Sequence, residues 1–310
     1  MIRSLPALAS ALFALTLAAA AQTPSSTWTP PAGHPTLLLW PSGAPGPGLS
    51  TGPEHAVPGK DVAGRPVLRI TDISVPALTL FAAPGAADPA PAIVVFPGGS
   101  YQHLAIDLEG TEVCDWLNAI QVDCVLLKYR VPNSGPYPKS SAALQDAQRA
   151  LGLVRQHAAA WHIDPDRLGV LGFSAGGHLA AALSTHNASR LYPVIDAADS
   201  LSCRPDFAII IYPGWLALSE KNYEPNPDLP VTAAVPPTYL VQAEDDPVHV
   251  ENAIAWFMAL KRAGVPAELH LYSRGGHGYG LRPTNLPITH WPNLATIWLH
   301  TIGILPAPPN

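Results

Sequence analysis

Ser174 stands in Gly172-Phe173-Ser174-Ala175-Gly176, where the apolar run Leu168–Phe173 gives way to the Ala- and Leu-rich stretch that begins at Ala175. G-x-S-x-G on a sharp strand-to-helix turn lifts a hydroxyl clear of its backbone. That hydroxyl attacks a carbonyl only if a base takes its proton, a third group orients the base and N–H donors await the oxyanion. The base is expected at His277, held in Ser273-Arg274-Gly275-Gly276-His277-Gly278 just past the apolar run ending at Tyr272. For the orienting acid, Asp245 and Asp246 both follow the run Thr238–Ala243, and whichever is left over would cap the next helix. The oxyanion donors are expected from the amide of Ala175 and from Gly99 and Ser100 of Pro97-Gly98-Gly99-Ser100, which follows Ala92–Phe96. The chemistry would be acyl transfer through a covalent serine intermediate.

Other candidates carry less. His178, one helical turn after Ser174, is expected to pack, while His103 and His249 read as rim residues without chemistry. Asp146 and Arg149, three apart on a helix, read as a structural ion pair. Tyr101 and Trp215 lie in loops that could frame an open cleft for stacking sugar rings. No CxxC, HxxxH or HExxH spacing occurs, so no metal is expected.

These residues need a frame that brings distant loops to one edge. Candidate strands Val67–Ile73 and Leu78–Ala82 alternate well enough for an antiparallel start. Then come the unbroken apolar run Ala92–Phe96, helix Glu109–Ala119, strand Cys124–Tyr129, helix Ala142–His157 and the Leu168–Phe173 strand with its helix. Asp206–Tyr212, Thr238–Ala243, helix Val250–Arg262, strand Ala267–Tyr272 and a last helix near Ile288–His300 follow. Continuous apolar strands alternating with amphipathic helices predict an α/β fold: a mostly parallel sheet covered on both faces. In such sheets ligands sit beyond the carboxyl ends of the strands, so the loops after Phe96, Phe173, Ala243 and Tyr272 should share one rim.

The N-terminus, with one Arg, an uncharged stretch Leu5–Ala20 and Ala19-Ala20-Ala21 before Gln22, reads as a secretory signal peptide over residues 1–21. An exported, periplasmic or extracellular protein without stable membrane association is the expectation. A Pro-rich arm over 22–66 would lead into one domain over 67–305; 36 of the 310 residues are proline. A net charge of −6 without a basic stripe argues against nucleic acid as a partner. Cys114, Cys124 and Cys203 are odd in number and imply no disulfide framework; Cys114, in a helix, and Cys124, in the following strand, leave a bridge open, with two buried thiols the preferred reading.

With those residues in view, "VVFPGGSYQHLAIDLEG", "LQDAQRALGLVR", "IDPDRLGVLGFSAGGHLA", "EDDPVHVENA" and "GGHGYGLRP" together resemble the alpha/beta-hydrolase superfamily. Within it, they look like the exported bacterial carbohydrate-esterase branch related to acetylxylan and feruloyl esterases, sometimes described as prolyl-oligopeptidase-like. The resemblance runs from about Trp40 to Trp298 and implies an alpha/beta-hydrolase fold with a triad on Ser174, Asp245 and His277. One departure concerns the oxyanion loop, which has Pro97 where lipase relatives usually have histidine; backbone donors carry over, a histidine role does not. The resemblance implies no cofactor, and an acylated plant polysaccharide such as xylan as substrate, attacked at acetyl or feruloyl esters. A serine hydrolase for another acyl group, including a small aminopeptidase, and a non-catalytic carbohydrate binder are the competing readings.

Overall fold

A computed structural model of the chain describes residue 1 and residues 27–46 and 48–307. The expected signal peptide, residue 1 apart, lies outside the described residues. Among those described, no helix is long and apolar enough to cross a membrane.

Eight strands form one sheet: β1 (Thr36–Leu38), β2 (Ala77–Phe81), β3 (Ala90–Phe96), β4 (Asp123–Lys128), β5 (Ile163–Phe173), β6 (Ala208–Ile211), β7 (Thr238–Ala243) and β8 (Ala267–Tyr272). Their spatial order is β1-β2-β4-β3-β5-β6-β7-β8. The first two pairings are antiparallel, and from β4 to β8 every pairing is parallel. Parallel neighbours need crossovers; these include helices α1 (Glu112–Ala119), α2 (Ala142–Trp161), α3 (Ala175–Thr185) and α4 (Glu251–Arg262), with α5 (Trp291–Thr301) closing the chain. Every residue of β3 is buried. Because side chains alternate across a strand, burial at consecutive positions means both faces are covered there. The mostly parallel α/β sheet with an antiparallel start is therefore as the apolar runs predict.

The start of the domain differs from expectation. β1 lies inside the segment read as an arm and pairs with β2, so the sheet begins before residue 67. The strand expected over Val67–Ile73 covers Leu68–Thr71 and joins a separate three-stranded antiparallel sheet with His55–Pro58 and Leu104–Ala105. Period-two alternation specifies a half-buried strand, but not which sheet it joins.

Asp146 and Arg149 do not pair with each other. Both are fully buried, at 0% and 1% exposure, and each serves another element. Asp146 accepts from the Trp40 indole at 2.7 Å and from Arg130 Nε at 3.0 Å. Arg149 pairs with Asp196 and Asp199 and donates to the Leu39 carbonyl. Burial this complete demands charge compensation from outside the helix, and a side-by-side surface pair cannot supply it. These bonds dock the N-terminal segment onto α2.

Cys114 of α1 and Cys124 of β4 form a disulfide, with Cα atoms 5.1 Å apart, which corrects the expectation of two free thiols. α1 packs on β4 and brings the two Cβ atoms together, a proximity that neither element's own pattern contains. Cys203 remains free and buried.

Candidate active site

The carboxyl ends of the central strands lie level. Phe96 of β3 sits one residue from the register partner of Phe173, Phe173 pairs with Ile211, and Ala243 pairs with Tyr272. The loops that follow these strands therefore leave the sheet on one rim.

Ser174 sits at the β5–α3 corner with φ 51° and ψ −115°. A non-glycine residue at positive φ costs on the order of 1–3 kcal/mol and persists only where its surroundings enforce it. Here the Ser174 amide donates to the Ile211 carbonyl and its own carbonyl accepts from His178 N, both at 3.0 Å. The flanking glycines are required by close approach: a Cβ on Gly172 would lie 2.0 Å from the Gly176 carbonyl oxygen, and one on Gly176 would lie 1.9 Å from that of Phe96. The turn closes only without those side chains.

His277 Nε2 lies 2.8 Å from Ser174 Oγ. Its Nδ1 lies 3.0 and 3.1 Å from the two carboxylate oxygens of Asp246, so the network assigns the Nδ1–H tautomer, with Nε2 left to accept from the hydroxyl. Asp246 is the orienting acid by geometry, and Asp245 is not. Asp246 has a fully buried side chain that also accepts from Val248 N and Gln242 Nε2. Asp245 is exposed and accepts from the amides of Gly275 and Gly276 at 2.8 and 2.7 Å. Consecutive residues leaving a strand turn to opposite sides; the second reaches the imidazole and the first holds the loop that carries it.

The oxyanion loop has a buried prop that sequence reasoning misses. Glu109 accepts from Gly98 N at 2.6 Å and from the Tyr212 hydroxyl at 2.9 Å. Burial raises the Glu109 carboxyl above the ordinary range, while these bonds and His277 pull it back. Tyr212 in turn accepts from Gly280 N and packs its ring edge on His277, 4.9 Å between centroids. Glu109 lies in a π-turn, Asp107–Thr111, ahead of α1; π-turns recur at functional sites. Nothing in "DLEG" marks it as buried.

Gly99, Ser100, Ser174 and His277 line one cleft of about 430 Å³. Ala175 is the first residue of α3, so its amide is among those a helix leaves without an internal partner. Tyr101 does not face this cleft: it is 2% exposed, with its hydroxyl 2.8 Å from His178 Nδ1. Tyr101 is packing, not a sugar platform. Trp215, 38% exposed, stands over it at 5.9 Å between centroids. His178 is fully buried, and burial pushes it down to about 3. His103 lines the cleft and is pushed down to about 4 by burial and by Arg69, so it stands uncharged at neutral pH. His249 packs its ring against Tyr223, 5.5 Å between centroids, and is not among the residues that line this cleft. Among the described residues, no group of three or more His, Cys, Asp or Glu is arranged to hold a metal ion.

Residues 78–207 match BD-FAE, and residues 143–299, just over half of the chain, match the prolyl oligopeptidase family. The chain belongs to the prolyl oligopeptidase family. Its sheet and site geometry are those of the alpha/beta-hydrolase superfamily, as neighbours among solved structures also indicate. This family member is 39% identical to an acetyl ester-xyloside bifunctional hydrolase from Caldicellulosiruptor lactoaceticus, covering 74% of this chain and 89% of that one with a TM-score of 0.66. It is 25% identical to a thermophilic esterase from Thermogutta terrifontis, covering 83% and 96% of the two chains with a TM-score of 0.63. It is also 30% identical to an acetylxylan esterase of Xylanibacter ruminicola, over 61% of this chain, and spans 41% of that relative's length.

Proposed function

We propose that this protein is a serine esterase that removes acetyl groups from xylan-type polysaccharide through an acyl-enzyme on Ser174. The observation that carries the reading is the continuous hydrogen-bond relay of hydroxyl, imidazole and buried carboxylate from Ser174 through His277 to Asp246. Ser174 Oγ attacks the ester carbonyl as its proton passes to His277 Nε2, and Asp246 stabilises the imidazolium that forms. The negative charge on the carbonyl oxygen falls to the amides of Ala175 and of Gly99 or Ser100, at the positive end of α3. His277 then gives its proton to the departing alkoxide. Water, deprotonated by the same imidazole, releases the acid and restores the serine.

Support for the acyl group and the polymer comes from relatives: one similar solved protein is an acetyl ester-xyloside hydrolase and one similar sequence is an acetylxylan esterase. Action outside the cytoplasm is part of the same proposal. It is supported by the leader-like composition of residues 1–21 and by the Cys114–Cys124 disulfide, a bond that persists in oxidising compartments. The test is 4-nitrophenyl acetate hydrolysis by wild type and Ser174→Ala, followed by acetic and ferulic acid release from xylan beside a proline-anilide control. Equal rates for the two proteins would end the enzyme reading. Faster cleavage of the anilide than of acetylated xylan would move the substrate to peptides.

A further inference from the structure

The cleft has a second wall, and it carries an unspent cation. Beside Gly99, Ser174 and His277 the same cleft is lined by Lys60, Asp61 and Arg69, contributed by the small sheet and the turn between its first two strands. Arg69 is the centre of that sheet, paired with Val57 on one side and Ala105 on the other. Its Nε is sealed from solvent and has no hydrogen-bond partner.

That isolation is unusual for this chain. Arg130, Arg149, Arg155, Arg167, Arg190 and Arg282, all at least partly buried, pair with a carboxylate, and Arg204, as half-buried as Arg69, donates to the carbonyls of Ala234 and Pro205; Arg69 forms no ion pair among the described residues. A guanidinium nitrogen sealed from water without an acceptor is costly, and the planar fork it belongs to matches a carboxylate. The backbone also makes room for it: a Cβ on Gly59 would lie 2.9 Å from Arg69 Nε and 2.8 Å from the Val67 carbonyl oxygen. Its charge reaches into the cleft, where it acts on both His103 and Glu109. The whole chain carries −6, so an anion approaching this surface is repelled unless a local cation receives it. Lys60 adds a second positive charge at the exposed rim, and Asp61 an opposing one.

We propose that Arg69, assisted by Lys60, is a carboxylate-binding subsite, so that the preferred esters are those whose sugar or acyl part carries a free acid. The proposal rests on ester hydrolysis at Ser174 and deepens it: the polymer would bear uronosyl groups beside its acylated sugars, or the acyl group would itself be a half-ester of a dicarboxylic acid.

Paired substrates test it. Acetylated xylo-oligosaccharides with and without a uronosyl branch form one pair, and hemisuccinate and butyrate esters of one alcohol form the other. Wild type is expected to prefer the acidic member of at least one pair, which also names the source of the carboxylate. In Arg69→Gln the acidic-over-neutral ratio of kcat/KM should fall about tenfold, and in Arg69→Lys by less, because the charge remains but the fork does not. The preference should fade as salt rises from about 50 to about 500 mM. A wild-type ratio no greater than one in both pairs, or a ratio indifferent to Arg69→Gln, overturns the proposal. Calorimetric binding of uronosyl-branched and unbranched xylo-oligosaccharides, and of the hemisuccinate and butyrate esters of one alcohol, to Ser174→Ala tests the subsite without catalysis. Equal affinity within both pairs overturns the subsite. Acid-selective binding without ester turnover by wild type would retain it and discard the esterase reading instead. Should Arg69→Gln fold poorly, Lys60→Gln and the salt series on wild type take its place: a ratio that neither of them lowers overturns the subsite.

Discussion

Oδ2 of Asp246 lies 3.0 Å from Nδ1 of His277, while the neighbouring Asp245 turns away and clamps the amides of Gly275 and Gly276. The two acids therefore do different work on one histidine, and substitution separates them. Asp246→Asn presents an amide where the imidazole needs an acceptor and is expected to cut kcat by roughly 10⁴ with KM little changed. Asp245→Asn retains one acceptor oxygen for the loop and should cost far less. Steady-state kinetics on 4-nitrophenyl acetate rank them; a larger loss in Asp245→Asn would reverse the assignment.

Glu109 gives a pH signature in stability. A carboxyl raised in the folded state adds nothing to the folding balance while both states are protonated. It then counts against folding once pH passes the unfolded value, because the unfolded chain ionises first. Glu109→Gln keeps an acceptor for Gly98 N and removes that penalty. Its urea midpoint should gain on wild type as pH climbs from about 4 to about 8. A gap that narrows over that range would contradict the direction of the shift.

His178 acts at the acid end. Its folded value is pushed down to about 3, by burial first and by His186 second, so below the ordinary histidine range the unfolded chain takes up a proton that the folded one refuses. Stability falls as pH drops, by about 2 kcal/mol between pH 8 and pH 5 from this group alone. His178→Gln retains a polar group for the Tyr101 hydroxyl and should flatten that limb in chemical denaturation at the two pH values. An unchanged slope would show that other groups set it.

The disulfide should stabilise without serving the chemistry. It closes a short loop, with a sequence separation of 10, between α1 and β4. Chain-entropy arguments give about 3 kcal/mol for a loop of that size. A Cys114→Ser, Cys124→Ser double variant is expected to lose up to that amount in urea titration while kcat at room temperature stays within about twofold of wild type. Loss of activity in protein that remains folded would link α1 to the site more tightly than its packing implies.

The parallel sheet is legible because β3 and the Leu168–Phe173 part of β5 are buried at consecutive positions and so appear as unbroken apolar runs. Ser174 and His277 are legible because such strands deliver their loops to a shared rim and the glycines around each residue mark a turn. Asp246 is not separable from Asp245 by pattern, since which of two adjacent acids faces inward depends on the exit angle of one strand. Glu109, Arg69 and the partners of Asp146 leave no local trace. Each owes its surroundings to segments distant in sequence, as with Glu109 and Tyr212 or Asp146 and Trp40.

Arg282 binds Glu112 and Asp107 on one side and the carbonyls of Val62, Arg65 and Pro66 on the other. One guanidinium thus stitches the patch that bears Arg69 to the scaffold that bears the nucleophile, and the ladder from Arg69 to Ala105 joins the same two parts through their backbones. The two parts are therefore tied by inheritance as well as by contact: the segment between His55 and Thr71 holds Gln102, Ala105 and Asp107, the stretch just past Gly99 and Ser100, so a change in the one must be tolerated by the other.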